Sequence, residues 1–407
     1  MNKSKPKKWI RIVKVGILAI LIVVATVYGG VFVGHRFIFQ EPHSAIPTIE
    51  PLQNEQFSFG VQFQTHAETI GEFVEILANQ VHHHYLAASI HNFWPNNQIP
   101  QQYIIAESIE SGDFWLISPQ GEITGLSQSE ALAYNISRVN YVDGFSPFEG
   151  QGISGIYMAL SEADLTNFLR FERYLHVGTY DVFITFAHEL FHMVEQPNWA
   201  EPEVVGNRNR EDFFEDVEAR TVRHLLQIQL ANALSDANNR NEWIKAAVST
   251  YNHYKSYFSD DHHNTNHWVR IEGTAYYYEL ISSLFAAYPE QIQTREDFYA
   301  AVGLLMTREE IYLAVGAISE SYIIGGLASV LLDITEPNPD DWKIELMADG
   351  YSTPMSILAQ RHEGQSLPDF VPIDLDFQSR VEALIEAEQA SSPLPMLFRF
   401  FYDILFR

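Results

Sequence analysis

The sequence predicts an α+β protein, a mixed α/β lobe followed by a mostly helical lobe, with a transmembrane helix added at the N-terminus. Three observations carry this. A long uncharged run follows a basic N-terminus, strand-like segments cluster before residue 160, and apolar residues at helical spacing dominate from 161 to 390.

Residues 1–36 read as a cytoplasmic basic stub and signal anchor. Lys3, Lys5, Lys7, Lys8, Arg11 and Lys14 crowd the start with no acid among them. From Val15 to Gly34 no residue is charged, a stretch of about 30 Å as helix, which is enough to cross a bilayer. The basic flank keeps the N-terminus cytoplasmic and exports the rest. Cleavable signals have shorter apolar regions, which favours an uncleaved anchor; a cut near Val27-Tyr28-Gly29 would instead give a secreted protein. Residues 37–56, with Pro42, Pro47 and Pro51 among polar residues, read as an extracytoplasmic linker.

Residues 57–160 form the mixed lobe. A helical pattern covers Thr69 to Tyr85, and Tyr103–Ala106 and Phe114–Ile117 are strand-like, with Gly121 among the breakers that follow. Gly155–Leu160 has strand composition and is open to two readings, an edge that receives an extended substrate or an interior strand. Consecutive His82, His83 and His84 point in different directions on a helix, so a helix surface is expected for them. His262, His263 and His267 fall in a polar stretch that reads as a loop. Residues 161–390 form the helical lobe. The tail 391–407 is apolar but too short to span a membrane, and either packs back or dips into the interface.

Composition narrows the chemistry. With 407 residues, 46% hydrophobic and 19% charged, the chain can bury a large core. The formal net charge is -27, and the exported part is more acidic still because the stub is basic. Such a surface repels nucleic acid and anionic head groups. The absence of cysteine excludes a thiol nucleophile, a disulfide and a thiolate-bound metal. No Gly-x-Ser-x-Gly and no phosphate-binding Gly-Lys-Ser/Thr loop occurs. Gly150-Gln151-Gly152-Ile153-Ser154-Gly155 fits a dinucleotide-loop pattern, but it lacks the preceding strand and following helix that the pattern requires.

His188-Glu189-Leu190-Phe191-His192 is the one stretch whose residue types and spacing specify a chemistry. On a helix, residues four apart lie one turn above each other, so both imidazoles can bind a single zinc ion. Glu189 can then hold a zinc-bound water and take its proton. The helix around the motif is amphipathic. Phe183, Phe186, Ala187, Leu190 and Val194 make an apolar face, while Thr185, His188, Glu189, His192 and Gln196 make a polar one. Thr179 or Asp181 can cap its start, and Pro197 ends it. Chance would give about 0.04 such motifs per chain of this composition.

Closing a catalytic zinc site takes a third protein ligand and leaves the fourth position to water. Glu272, in Trp268-Val-Arg-Ile-Glu272-Gly273-Thr-Ala275-Tyr276, is one source, with Gly273 beside it offering no side chain to hold helices apart. Glu211, Glu215 and Glu218 are another, although acids there also suit a solvated helix start.

These two segments resemble the gluzincin metallopeptidases, the group that includes thermolysin and the zinc aminopeptidases. The shared pattern is His-Glu-x-x-His, then a Glu on a later helix in a Trp-x-x-Glu-Gly-x-Ala-x-Tyr context; residues 183–196 and 268–279 match it. The resemblance implies a zincin-like fold, one Zn2+ held by His188, His192 and Glu272, Glu189 as general base, and a peptide or protein substrate. Two departures stand out. The interval from His192 to Glu272 is longer than in thermolysin, and Tyr276 occupies the position of an Asp that orients the first His there. Glu279, Glu215, Asp216 and Glu218 are candidates for that orienting carboxylate. For an oxyanion-binding group Tyr322, Tyr277, His263 and His267 are candidates, each also explained by packing or a loop position. The expectation is a membrane-tethered, extracytoplasmic zinc metallopeptidase; the alternative is a zinc-binding receptor or scaffold of the same fold without turnover.

Overall fold

Thr69 opens the first helix, its hydroxyl accepting from the backbone N–H of Glu72 while Glu72 reaches back to the N–H of Glu68. Helix α1 (Ile70–His91) continues past the expected Tyr85 and stops at Asn92, whose left-handed φ of 49° lets its N–H reach the Ala88 carbonyl. Ile70, Phe73, Val74, Leu77, Val81 and His84 line its buried face. His84 therefore corrects the surface expectation for the histidine triplet: it is fully buried, whereas His82 and His83 are partly exposed.

This computed structural model describes residues 52–53, 56–59, 67–138, 145–162, 181–200, 216–307 and 317–391. The basic stub, the uncharged run, nearly all of the linker and the residues of the apolar tail after 391 lie outside them. No helix among the described residues is long and apolar enough to cross a membrane.

A short antiparallel pair, β1 (Leu52–Gln53) and β2 (Ser58–Phe59), precedes α1. The main sheet has five strands in the order β5-β4-β3-β7-β6: β3 (Tyr103–Ser108), β4 (Phe114–Ile117), β5 (Ile123–Leu126), β6 (Phe145–Gly150) and β7 (Ile153–Leu160). Only β3 and β7 pair in parallel, with Ile105 opposite Tyr157. That pairing needs Gly155, because a Cβ there would collide with the backbone of Tyr103. Gln151 and Gly152, at φ 52° and 80°, form the two-residue turn between β6 and β7. The strand over Gly155–Leu160 is thus interior, paired on both sides, and β6 is the edge. Its run of buried residues from Gly155 onward fits that position.

A short helix, α2 (Gln128–Leu132), lies between β5 and β6. The rest is helical: α3 (Asp181–Val194), α4 (Val217–Ser235), α5 (Arg240–Tyr257), α6 (Ser259–Ala287), α7 (Arg295–Leu305), α8 (Ala317–Thr335), α9 (Pro339–Ala348), α10 (Pro354–Arg361) and α11 (Leu375–Ser391). One continuous apolar cluster runs from Phe57 to Leu358, so the sheet and the helices share a core. At its centre is the 29-residue α6, packed against α1, α3 and α8. This helix also absorbs His262, His263 and His267, correcting the loop expectation.

Two polar junctions pin the helices together. Asp333 of α8 accepts from Tyr277 (2.5 Å), Trp342 (2.9 Å), Arg295 (3.1 Å) and Lys343 (3.2 Å). Lys343 also donates to the Phe93 carbonyl and sits among the rings of Trp94, Tyr277 and Trp342. Glu320 of α8 takes Arg220, Arg223 and His224 of α4 on one carboxylate, and Arg223 reaches on to Asp261. Buried charges are tolerated here because each faces an opposite charge or a hydrogen-bonding group.

Candidate metal centre

Helix α3 carries His188, Glu189 and His192, and its apolar face of Val182, Phe183, Phe186, Ala187 and Leu190 is buried. That anchoring sets the polar face against α6. The helix ends at Val194, and Pro197 lies in the 3-10 turn Gln196–Asn198 that follows.

Across from it, α6 and α8 approach backbone to backbone. A Cβ on Gly273 would meet the Cα of Gly325, and one on Gly326 would meet the Tyr276 ring. This close crossing brings Glu272 of α6 beside the two histidines. Glu272 Oε2 is 3.0 Å from His188 Nε2 and 3.2 Å from His192 Nε2, and the two Nε2 atoms are 2.9 Å apart. His188, His192 and Glu272 form the one group able to hold a metal ion among the described residues.

The opposite ring nitrogens are also engaged. His188 Nδ1 is 3.0 Å from Glu279 Oε2, two turns along α6 from Glu272, and His192 Nδ1 is 2.6 Å from Gln196 Oε1. Both faces of each ring are therefore specified, as expected of imidazoles that present Nε2 to a metal. The ring of Tyr322 lies parallel to that of His188, with centroids 5.5 Å apart. Glu189 is partly exposed and has no hydrogen-bond or ion-pair partner among the described residues.

The electrostatics favour positive charge at the cluster. Burial works against a charged His188, yet hydrogen bonds and charge from Glu272 and Glu279 outweigh it and push its pKa up to about 10. Burial likewise opposes ionisation of Glu272, but the two imidazoles win and hold its carboxyl well below the usual range. Burial dominates at Glu279 and raises its pKa. The bare cluster satisfies this demand with a proton on His188; a divalent ion among the same three atoms would displace it. Zinc bonds of about 2.0–2.1 Å at tetrahedral angles place ligand atoms about 3.3 Å apart. The observed separations need to open by only a few tenths of an ångström, so the residues fit a zinc ion.

The remaining candidates separate clearly. Glu218 is exposed on the first turn of α4, and Asp216 is its exposed N-cap, accepting from the Ala219 N–H; these acids form the solvated helix start. Glu211 and Glu215 lie outside the described residues. Tyr277 donates to Asp333 in the core, which removes it as an oxyanion group. His263 is exposed on α6, and His267 is partly exposed on the same helix.

A groove of about 450 Å³ runs between the sheet edge and α3, lined by Pro147, Phe148, Glu149 and Gly155 on one side and Leu190, Met193 and Val194 on the other. Sequence reasoning placed Gln196 on the polar face but gave it no role; its position one turn beyond His192 is the signal that could have identified it. Searches with this chain among protein-family models, curated proteins and solved structures return no match.

Proposed function

We propose that this chain is a zincin-like, gluzincin-type metallopeptidase, tethered to the membrane by its N-terminal helix with the catalytic part outside the cell. One observation carries the reading: His188 Nε2, His192 Nε2 and Glu272 Oε2 converge within 3.2 Å of one another, with Glu189 on the same helix face. A zinc ion bound there would supply Lewis acidity, polarising a water molecule and the scissile carbonyl. Glu189, next in sequence to a ligand and without a competing partner among the described residues, accepts the water's proton and returns it to the leaving amine. Glu279 orients His188 and disperses its charge. The edge strand β6 and the groove beneath it suit an extended peptide better than a compact small molecule.

The test is Glu189→Gln in the purified full-length protein, with zinc content by mass spectrometry and cleavage of a mixed peptide library. The wild type should hold one zinc ion and cleave peptides, and the variant should keep the zinc and lose cleavage by about 10²-fold or more. A wild type that binds zinc yet cleaves nothing would support the silent scaffold. Undiminished cleavage by the variant would remove Glu189 from the mechanism.

A further inference from the structure

Gln196 stands just beyond the end of the motif helix, in the 3-10 turn that follows it. Its Oε1 is 2.6 Å from His192 Nδ1, and its Nε2 donates to the Ile271 carbonyl at 2.7 Å and to Thr274 Oγ1 at 3.2 Å. A carbonyl oxygen only accepts. The Thr274 hydroxyl, for its part, spends its hydrogen on the Arg270 carbonyl at 2.7 Å. Turning the amide over would set oxygen against oxygen at Ile271, so the side-chain oxygen stays aimed at His192. With an acceptor fixed there, His192 carries a hydrogen on Nδ1, which leaves its Nε2, directed into the cluster 2.9 Å from His188 Nε2, free to ligate a metal. Ile271 directly precedes Glu272, so one amide ties the second histidine to the turn bearing the third ligand.

We propose that Gln196 is a positioning residue that sets the tautomer and ring orientation of His192 for metal binding. This rests on the zinc reading above, and the experiment separates the two. Zinc dissociation constants from chelator competition and urea unfolding of the metal-free form are measured on the full-length wild type, Gln196→Leu, Gln196→Glu and Thr274→Val. Ring ¹⁵N NMR of the metal-free wild type gives the His192 tautomer directly.

The expected spectrum shows His192 protonated at Nδ1. Gln196→Leu should weaken zinc binding by about 10- to 100-fold. Thr274→Val, which loosens the amide without touching His192, should weaken it by less. Gln196→Glu keeps an acceptor at Nδ1 but sets a carboxylate against the Ile271 carbonyl, so it should lose stability while its zinc affinity stays within about threefold of wild type. A purely structural tie predicts instead that affinity falls in step with stability in every variant, and that result overturns the proposal. So does a His192 protonated at Nε2 alone, or wild-type affinity in Gln196→Leu. A wild type that binds no zinc overturns the metal site and this inference together.

Discussion

The Cα of Gly325 lies where a side chain on Gly273 would begin: a Cβ built on Gly325 comes within 2.6 Å of the Gly273 Cα and also meets the Val269 carbonyl oxygen. Both obstacles are backbone and cannot rotate away. Gly325→Ala should therefore cost about 3 kcal/mol or more, the upper part of the range for overpacking, read as a shift in the urea midpoint. Because the crossing places Glu272, the same variant should also bind zinc more weakly. A stability change under about 0.5 kcal/mol would mean that the helices are not this close.

Removing the proposed third ligand separates the two acidic segments. Glu272→Ala should abolish stoichiometric zinc binding in the purified protein, while Glu218→Ala, at an exposed position on α4, should leave it intact. The reverse pattern would move the ligand to the other segment.

His84 sets an acid limit on stability. It is fully buried, with Nε2 3.1 Å from the Tyr278 hydroxyl and 2.9 Å from that of Ser282, and burial pushes its pKa down to about 3. The unfolded chain takes up this proton near pH 6.5 and the folded protein only near 3, so stability is lost as pH falls between those values. Between pH 7 and 4.5, wild type should lose on the order of 2 kcal/mol more than His84→Gln does. Parallel pH profiles for the two proteins would show that the folded state admits the proton.

Asp333 holds two cations that have no other carboxylate among their described contacts. Asp333→Asn leaves the buried Lys343 and the partly buried Arg295 against a neutral amide and should cost about 3–5 kcal/mol. Adding Lys343→Met should recover part of that loss, since an unpaired buried charge is worse than an apolar side chain of similar size. A double variant less stable than Asp333→Asn would contradict this account.

Much of the site was legible because helical spacing alone places His188 and His192 on one face and Gly273 and Gly325 are the kind of residue a close crossing requires. Glu279 could be named as an orienting acid but not chosen, since its meeting with His188 depends on how α3 lies across α6. The interior placement of Gly155–Leu160 was hidden for a related reason: strand order is set by the parallel partner β3, and nothing local to β7 announces it. His84, Glu320 and Asp333 were missed because buried polar residues on helices carry the same sequence signal as exposed ones. Most of their partners come from distant elements, up to 198 residues away for His84 and Ser282, and are visible only once folded.

The long helix α6 is fastened at four places: to α8 through the glycine crossing, to Asp333 through Tyr277, to α1 through Tyr278 and His84, and to the turn after the motif helix through Ile271 and Gln196. Held at these points, α6 is a fixed element of the shared core. The β6–β7 hairpin is held less firmly, since its outer strand has a neighbour on one side only. Amide exchange should divide the same way, slow along Val269–Phe285 and fast along the free margin of Phe145–Gly150.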